Sequence, residues 1–95
     1  STVYTAVIGQ LVRCDPTAFA FEVGLPKITA RNKGRMIAVV NVSNSANTIT
    51  IQPDDTNTTA PDTIDGAASD SIAIARGKYI LVSNGDTEWM ILSST

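Results

Sequence analysis

At 95 residues the chain has room for one domain and not two, and a domain of that size buries only about two-thirds of its unfolded surface, so partners often complete it. An apolar fraction of 43% excludes wholesale disorder. A net charge of −2 excludes the basic stripe that phosphate neutralisation demands, so nucleic acid is not an expected partner.

Thr, Ser, Asn, Ala, Ile and Val dominate, while Leu, Glu and Lys are sparse. Beta-branched residues favour pleated surfaces and Asn, Ser, Asp and Gly favour turns, so the mixture predicts β-structure. Val3 to Val12 is mostly apolar and broken by Gly9, giving one bent strand or two short ones. Cys14-Asp15-Pro16-Thr17 has turn chemistry: Asp bonds its own backbone and Pro presets φ. From Phe19 to Leu25 large apolar residues fall on every second position, which predicts a half-buried strand ended by Pro26.

Lys27 to Arg35 is polar and basic, with a turn at Asn32-Lys33-Gly34-Arg35. Met36 to Val42 is nearly all apolar, as expected of a strand covered on both faces. After a small polar turn at Ser43 to Ala46, Thr48 to Gln52 alternates with its isoleucines inward, and Asn41, Asn44 and Asn47 punctuate an expected hairpin. Pro53 to Ser71 is a long connection, within which Ile64 is expected to be buried beside a turn at Asp65-Gly66. Ile72 to Ile74 resumes a short strand, and Arg76-Gly77-Lys78 turns it. Tyr79 to Val82 and Trp89 to Leu92 are strands joined through Asn84-Gly85, the strongest short-range hairpin signal. No segment keeps a helical period. The expectation is an all-β fold, a single β-domain over residues 1–95: a compact antiparallel β-sandwich or barrel of about seven to eight short strands.

Chemistry is sparse. The absence of histidine removes the commonest general base and metal ligand, so neither a Ser-His-Asp nor a Cys-His site can be built from this chain alone. The single cysteine, Cys14, excludes an intrachain disulfide and argues against an oxidising compartment. Beside Arg13 its thiol invites a reactive reading, but without a histidine partner a small buried residue is the better one. Asp54, Asp55, Asp62 and Asp65 invite a calcium reading, against which the spacing fits no EF-hand; a solvated loop with turn-capping aspartates is expected. No glycine pattern marks a phosphate loop. Asn41-Val42-Ser43 and Asn57-Thr58-Thr59 match the glycosylation sequon by coincidence of composition. No catalytic, cofactor-binding or metal residue is assigned and no cofactor is expected; the chain is not read as an enzyme. It shows no basic region leading into an apolar signal run and no apolar stretch of about 20 residues, so no membrane partner is expected. Ser1 is a residue that can follow an excised initiator Met, and the chain is read as a whole gene product.

Two features point to assembly. Lys27, Arg31, Lys33 and Arg35 form a basic segment, while Asp54, Asp55, Asp62, Asp65 and Asp70 form an acidic one. These are either two solvated loops or complementary surfaces that steer subunits into register, in which case added salt should weaken assembly. Tyr79 to Val82 and Met90 to Leu92 are apolar on both faces, more than a chain this small can cover, which predicts a homo-oligomer. Trp89 is expected as a core or interface anchor; with Tyr4 and Tyr79 it forms, at most, a sparse carbohydrate-binding platform.

The stretch Leu11-Val12-Arg13-Cys14-Asp15-Pro16-Thr17, then Phe21-Glu22-Val23-Gly24-Leu25-Pro26, resembles the opening of a small β-domain of tailed-bacteriophage virion proteins. Gly34 with Ile37 to Val42, Ala46 to Ile51, Asp62-Thr63-Ile64-Asp65-Gly66-Ala67, Leu81 to Gly85 and Trp89 to Leu92 continue the likeness over nearly the whole chain. Cys14, where an apolar residue is expected, and the inserted residues 54 to 59 depart from it. The resemblance implies a passive, often trimeric module and supplies no catalytic residue. With no coiled-coil heptads, collagen-like repeat or tail-docking segment, the expected role is a capsid decoration (cement) protein. It would be a homotrimer bound to the major capsid protein on the virion surface and made in the host cytoplasm. A tail-fibre or tail-tip module contacting the host surface, and a small carbohydrate-binding module, are the alternatives.

Overall fold

The computed structural model describes residues 2–18, 20–53 and 62–94. Among them are nine strands: β1 (Thr2–Thr5), β2 (Leu11–Cys14), β3 (Phe21–Leu25), β4 (Met36–Asn41), β5 (Ile49–Pro53), β6 (Thr63–Ile64), β7 (Asp70–Ile72), β8 (Lys78–Ser83) and β9 (Glu88–Ser94). One turn of 3-10 helix, Ala30–Asn32, interrupts the β3–β4 connection. The fold is all-β, as the composition predicts. Val3 to Val12 resolves into two short strands, and β6 adds a strand inside the long connection.

The strands form two sheets, the first in the order β1-β3-β5-β7 and the second in the order β2-β4-β8-β9-β6. From β1 to β8 every connection carries the chain to the opposite sheet; only β8 to β9 stays within one. The first five strands therefore wind as a flattened coil. Each turn of the coil lays a strand parallel to its predecessor, so β1, β3 and β5 run parallel, as do β2 and β4. The antiparallel pairs are β5–β7, β4–β8 and β8–β9, and β6 lies parallel to β9. Both sheets are thus mixed rather than antiparallel. Both strand orders are open, so neither sheet closes into a barrel.

The expected hairpin between Met36 to Val42 and Thr48 to Gln52 is the clearest correction. Its two strands lie in different sheets. Turn residues are compatible with either outcome, and here Asn41 decides it. Its side chain is buried, accepts from the Ser43 N–H (2.9 Å) and hydroxyl (2.8 Å), and donates to the carbonyls of Ser45 (2.8 Å) and Ile74 (3.2 Å). These bonds fix the chain as it leaves β4 and crosses to β5.

Two turns follow their sequence signals. Asp65 (φ 48°) and Gly66 (φ 82°) both adopt left-handed backbone, and Ile64 and Ala67 exchange N–H···O bonds of 2.8 and 2.9 Å, a tight two-residue turn. In the β8–β9 hairpin the Asn84 carbonyl oxygen accepts from the N–H groups of Asp86 (2.8 Å), Thr87 (3.1 Å) and Glu88 (3.1 Å). The Asn side chain, rather than a two-residue Asn-Gly turn, closes that loop.

One apolar cluster joins the sheets. Val23, Leu25, Ile49, Ile51 and Ile72 enter it from the first, and Val12, Cys14, Ile37, Val39, Leu81 and Trp89 from the second. Pro26 ends β3 as expected. Beyond it, Ile28 reaches the core and its N–H donates to Asp62 (2.9 Å).

Candidate functional site

The two sheets turn different chemistry outward. On the first, Glu22, Thr50 and Ser71 lie across one rung, and Gln52 donates to the Glu22 carboxylate at 3.2 Å. That face is polar. On the second, burial alternates along β4: Ile37, Val39 and Asn41 point inward, and Met36, Ala38 and Val40 point outward. Register then sets Met36 beside Val82 and Val82 beside Met90, and Ala38 between Leu11 and Ile80. The result is an apolar outer face on which Leu11 is 57% and Met36 51% exposed.

This corrects one expectation and sharpens another. The strand at Met36 to Asn41 is covered on one face only. The apolar two-faced strands at the C-terminal hairpin do carry apolar residues on both sides: Leu81 and Trp89 are buried, while Ile80 and Met90 face outward and are exposed. Sequence reading did not single out Leu11 or Met36. Alternation alone assigns them no face; pairing β2 and β4 with β8 does.

The other residues singled out by sequence are dispersed. Cys14 is 1% exposed, inside the core, and burial pushes its thiol up to about 11. It is a packing residue. Neighbouring Asp15 accepts from the Thr17 N–H (3.1 Å) and hydroxyl, which hold its carboxyl below the usual range. Trp89 is fully buried. Tyr79 donates to Asp70 (3.1 Å) and to the Ser71 carbonyl (3.0 Å); partial burial and the Asp70 carboxylate push its phenol up. That bond ties β8 to β7 across the two sheets, beside a cleft of about 210 Å³ lined by Ile72, Ile74 and Ser94. Tyr4 sits in a second cleft, about 240 Å³, with Gln10, Val12, Arg13 and Phe21, and its hydroxyl accepts from Gln10. The three aromatic residues therefore form no common platform.

The charged segments meet inside the chain. Lys27 Nζ lies 2.9 Å from Asp62 Oδ1, and Asp62 is buried. Asp65 is exposed and accepts from the Ile91 N–H at 3.2 Å. Asp54 and Asp55 lie outside the described residues. Among the described residues no group of three or more His, Cys, Asp or Glu is placed to hold a metal ion, and no helix is long and apolar enough to cross a membrane. The chemistry available to the exposed face is burial of apolar surface.

A scan against protein-family models finds none that matches, and searches of curated proteins and of solved structures find no match.

Proposed function

We propose that the chain is a structural protein of a tailed-phage virion, a decoration (cement) protein that assembles with copies of itself and binds the major capsid protein on the head surface. The two mixed sheets with their common core are read as the layers of a β-sandwich. One observation carries the proposal: the outer face of the second sheet is apolar and open, while that of the first is polar. Contiguous apolar patches beyond a few hundred Å² mark interaction surfaces on soluble proteins. The sequence resemblance supplies the setting, including a trimer as the expected oligomer.

Cementing needs no catalytic group. Burying apolar surface contributes about 25 cal/mol per Å², offset in part by the cost of association. Repeated over a shell, modest contacts resist internal pressure. The test is stoichiometry on purified particles of the phage that encodes the chain. Hundreds of copies per particle on the head support decoration, a handful at the tail support the tail-tip reading, and absence from the particle removes both.

A second reading, a small carbohydrate-binding module, has one supporting observation. The cleft at Tyr4 and Phe21 combines two aromatic rings with Gln10 and Arg13. A glycan screen with no binding removes it.

A further inference from the structure

We propose that the apolar outer face of the second sheet is covered by a second copy of this chain. The inference rests on the assembly reading above and adds which surface the copies share and what occupies it. Three observations favour a copy over an unrelated partner.

The first is relief. Across the rungs large and small side chains alternate: Leu11, Ala38, Ile80 and Ser93 on one, Met36, Val82 and Met90 on the next. The same surface therefore carries both knobs and troughs, with Ala38 and Val82 as the low points. A surface of that kind can seat an identical surface, which closed homo-oligomers require.

The second is the rim. Arg13 and Lys78 flank Val40 at one end of the field, and at the other Glu88, two positions before Met90, stands with Arg35 beside Met36 and Lys33 against Gly85, so that end carries both signs. A partner of single-signed charge would meet repulsion at one of these ends. A copy brings both signs and can satisfy both, which fixes how it sits as much as how tightly.

The third is size. The outward apolar side chains, from Leu11 at 57% to Met90 at 36% exposure, leave roughly 500 Å² uncovered per copy, more than single scattered residues would. Two such faces with their polar rims reach the roughly 1,000 Å² that a specific interface needs. Among the described side chains, the outer face of the first sheet, with its Glu22–Gln52 hydrogen bond, offers no such area.

The experiment is sedimentation velocity of the full chain across the micromolar range. The parent, Ile80→Glu on the apolar face and Thr50→Glu on the polar face are compared, with circular dichroism to check folding. The parent should be oligomeric, Thr50→Glu should match it, and Ile80→Glu should dissociate with a constant raised about tenfold or more. Should Ile80→Glu fail to fold, Ile80→Cys takes its place. A short bis-maleimide should then cross-link copies of Ile80→Cys and leave Thr50→Cys uncross-linked. A parent that stays monomeric overturns the inference, as does an Ile80→Glu protein that assembles like the parent or a Thr50→Cys protein that cross-links instead. If the parent is monomeric in solution but abundant on heads, this inference falls and the decoration reading stands. Face-dependent assembly of a protein absent from particles gives the reverse.

Discussion

Replacing Asn41 by Ala removes a buried side chain that ties two sheet crossovers together. Its amide donates to Ser45 in the β4–β5 crossover and to Ile74 in the β7–β8 crossover, and its carbonyl accepts two bonds from Ser43. The losses are unequal. Ile74 is exposed and Ser45 half-buried, so their carbonyls can turn to water. Ser43 is only 7% exposed, so its N–H and hydroxyl lose their shared acceptor in a dry place. At about 1–2 kcal/mol for each of those two donors, plus about 1 kcal/mol for the amide bonds, the loss comes to about 3–5 kcal/mol. Against a typical total of roughly 5–15 kcal/mol for a small domain, that is a large share. Trp89 is the only tryptophan and is fully buried, so its emission reports global unfolding in urea. The expected result is a lower midpoint at unchanged slope. Asn41→Asp keeps the acceptor for Ser43 but sets a carboxylate oxygen against two carbonyls. It should be destabilised at neutral pH and recover as acid protonates it. A loss below about 1 kcal/mol in Asn41→Ala would refute the reasoning, because Ser43 would then be finding another acceptor.

Three further outcomes follow from the same packing. Gly77→Ala places a Cβ 2.4 Å from Ile72 Cγ2 and 2.9 Å from Ile74 Cγ1, and such overpacking should cost about 1–3 kcal/mol in the same urea assay; a stability equal to the parent's would mean that this turn yields freely. Cys14, with its thiol near 11, should resist a thiol reagent at pH 8 in the native protein and react once urea unfolds it. Its folded value lies above the ordinary 9.0, so burial of the neutral thiol stabilises fully below pH 9 and that contribution fades between pH 9 and about 11; rapid native labelling at pH 8 would contradict this. Asp62→Ala leaves the Ile28 N–H without its buried acceptor, for a loss of about 1–3 kcal/mol, while half-exposed Lys27 simply regains water; Asp62→Asn should recover part of the loss, and equal losses in the two variants would count against the backbone bond as the main contribution.

Strand identity was legible from local pattern, and sheet membership was not. In the period-two run Val23 and Leu25 are buried and Phe21 packs half-buried against the core, and the alternating isoleucines Ile49 and Ile51 are buried as their spacing implies. Tight turns were legible where backbone chemistry is decisive, at Asp65-Gly66 and around Asn84. A turn of small polar residues fixes only that the chain changes direction. Whether it returns beside its own strand or crosses to the facing sheet depends on non-local bonds, such as Asn41 to Ile74 across 33 positions. Parallel pairing of β1, β3 and β5 has no local signature either, because the partners are separated by a whole turn of the coil.

The candidate surface shows the same division. A strand apolar on both faces signals that both faces have company, yet it does not say whose. In a sheet covered on both sides the second layer belongs to the same chain, as the sequence of Met36 to Val42 suggested. Here β4 and β8 stand at the centre of the second sheet, so no edge effect explains their exposed side chains. Met36 stays 51% and Ile80 38% exposed because the chain's other sheet is spent on their inner side. Charge along the sequence fits either two solvated loops or complementary surfaces that steer subunits, and one pair drawn from the two segments, Lys27 and Asp62, closes within the chain. A salt titration should therefore perturb the fold near Ile28 as well as any contact between copies, whereas substitution of rim charges such as Arg13, Lys78 and Glu88 tests the interface by itself.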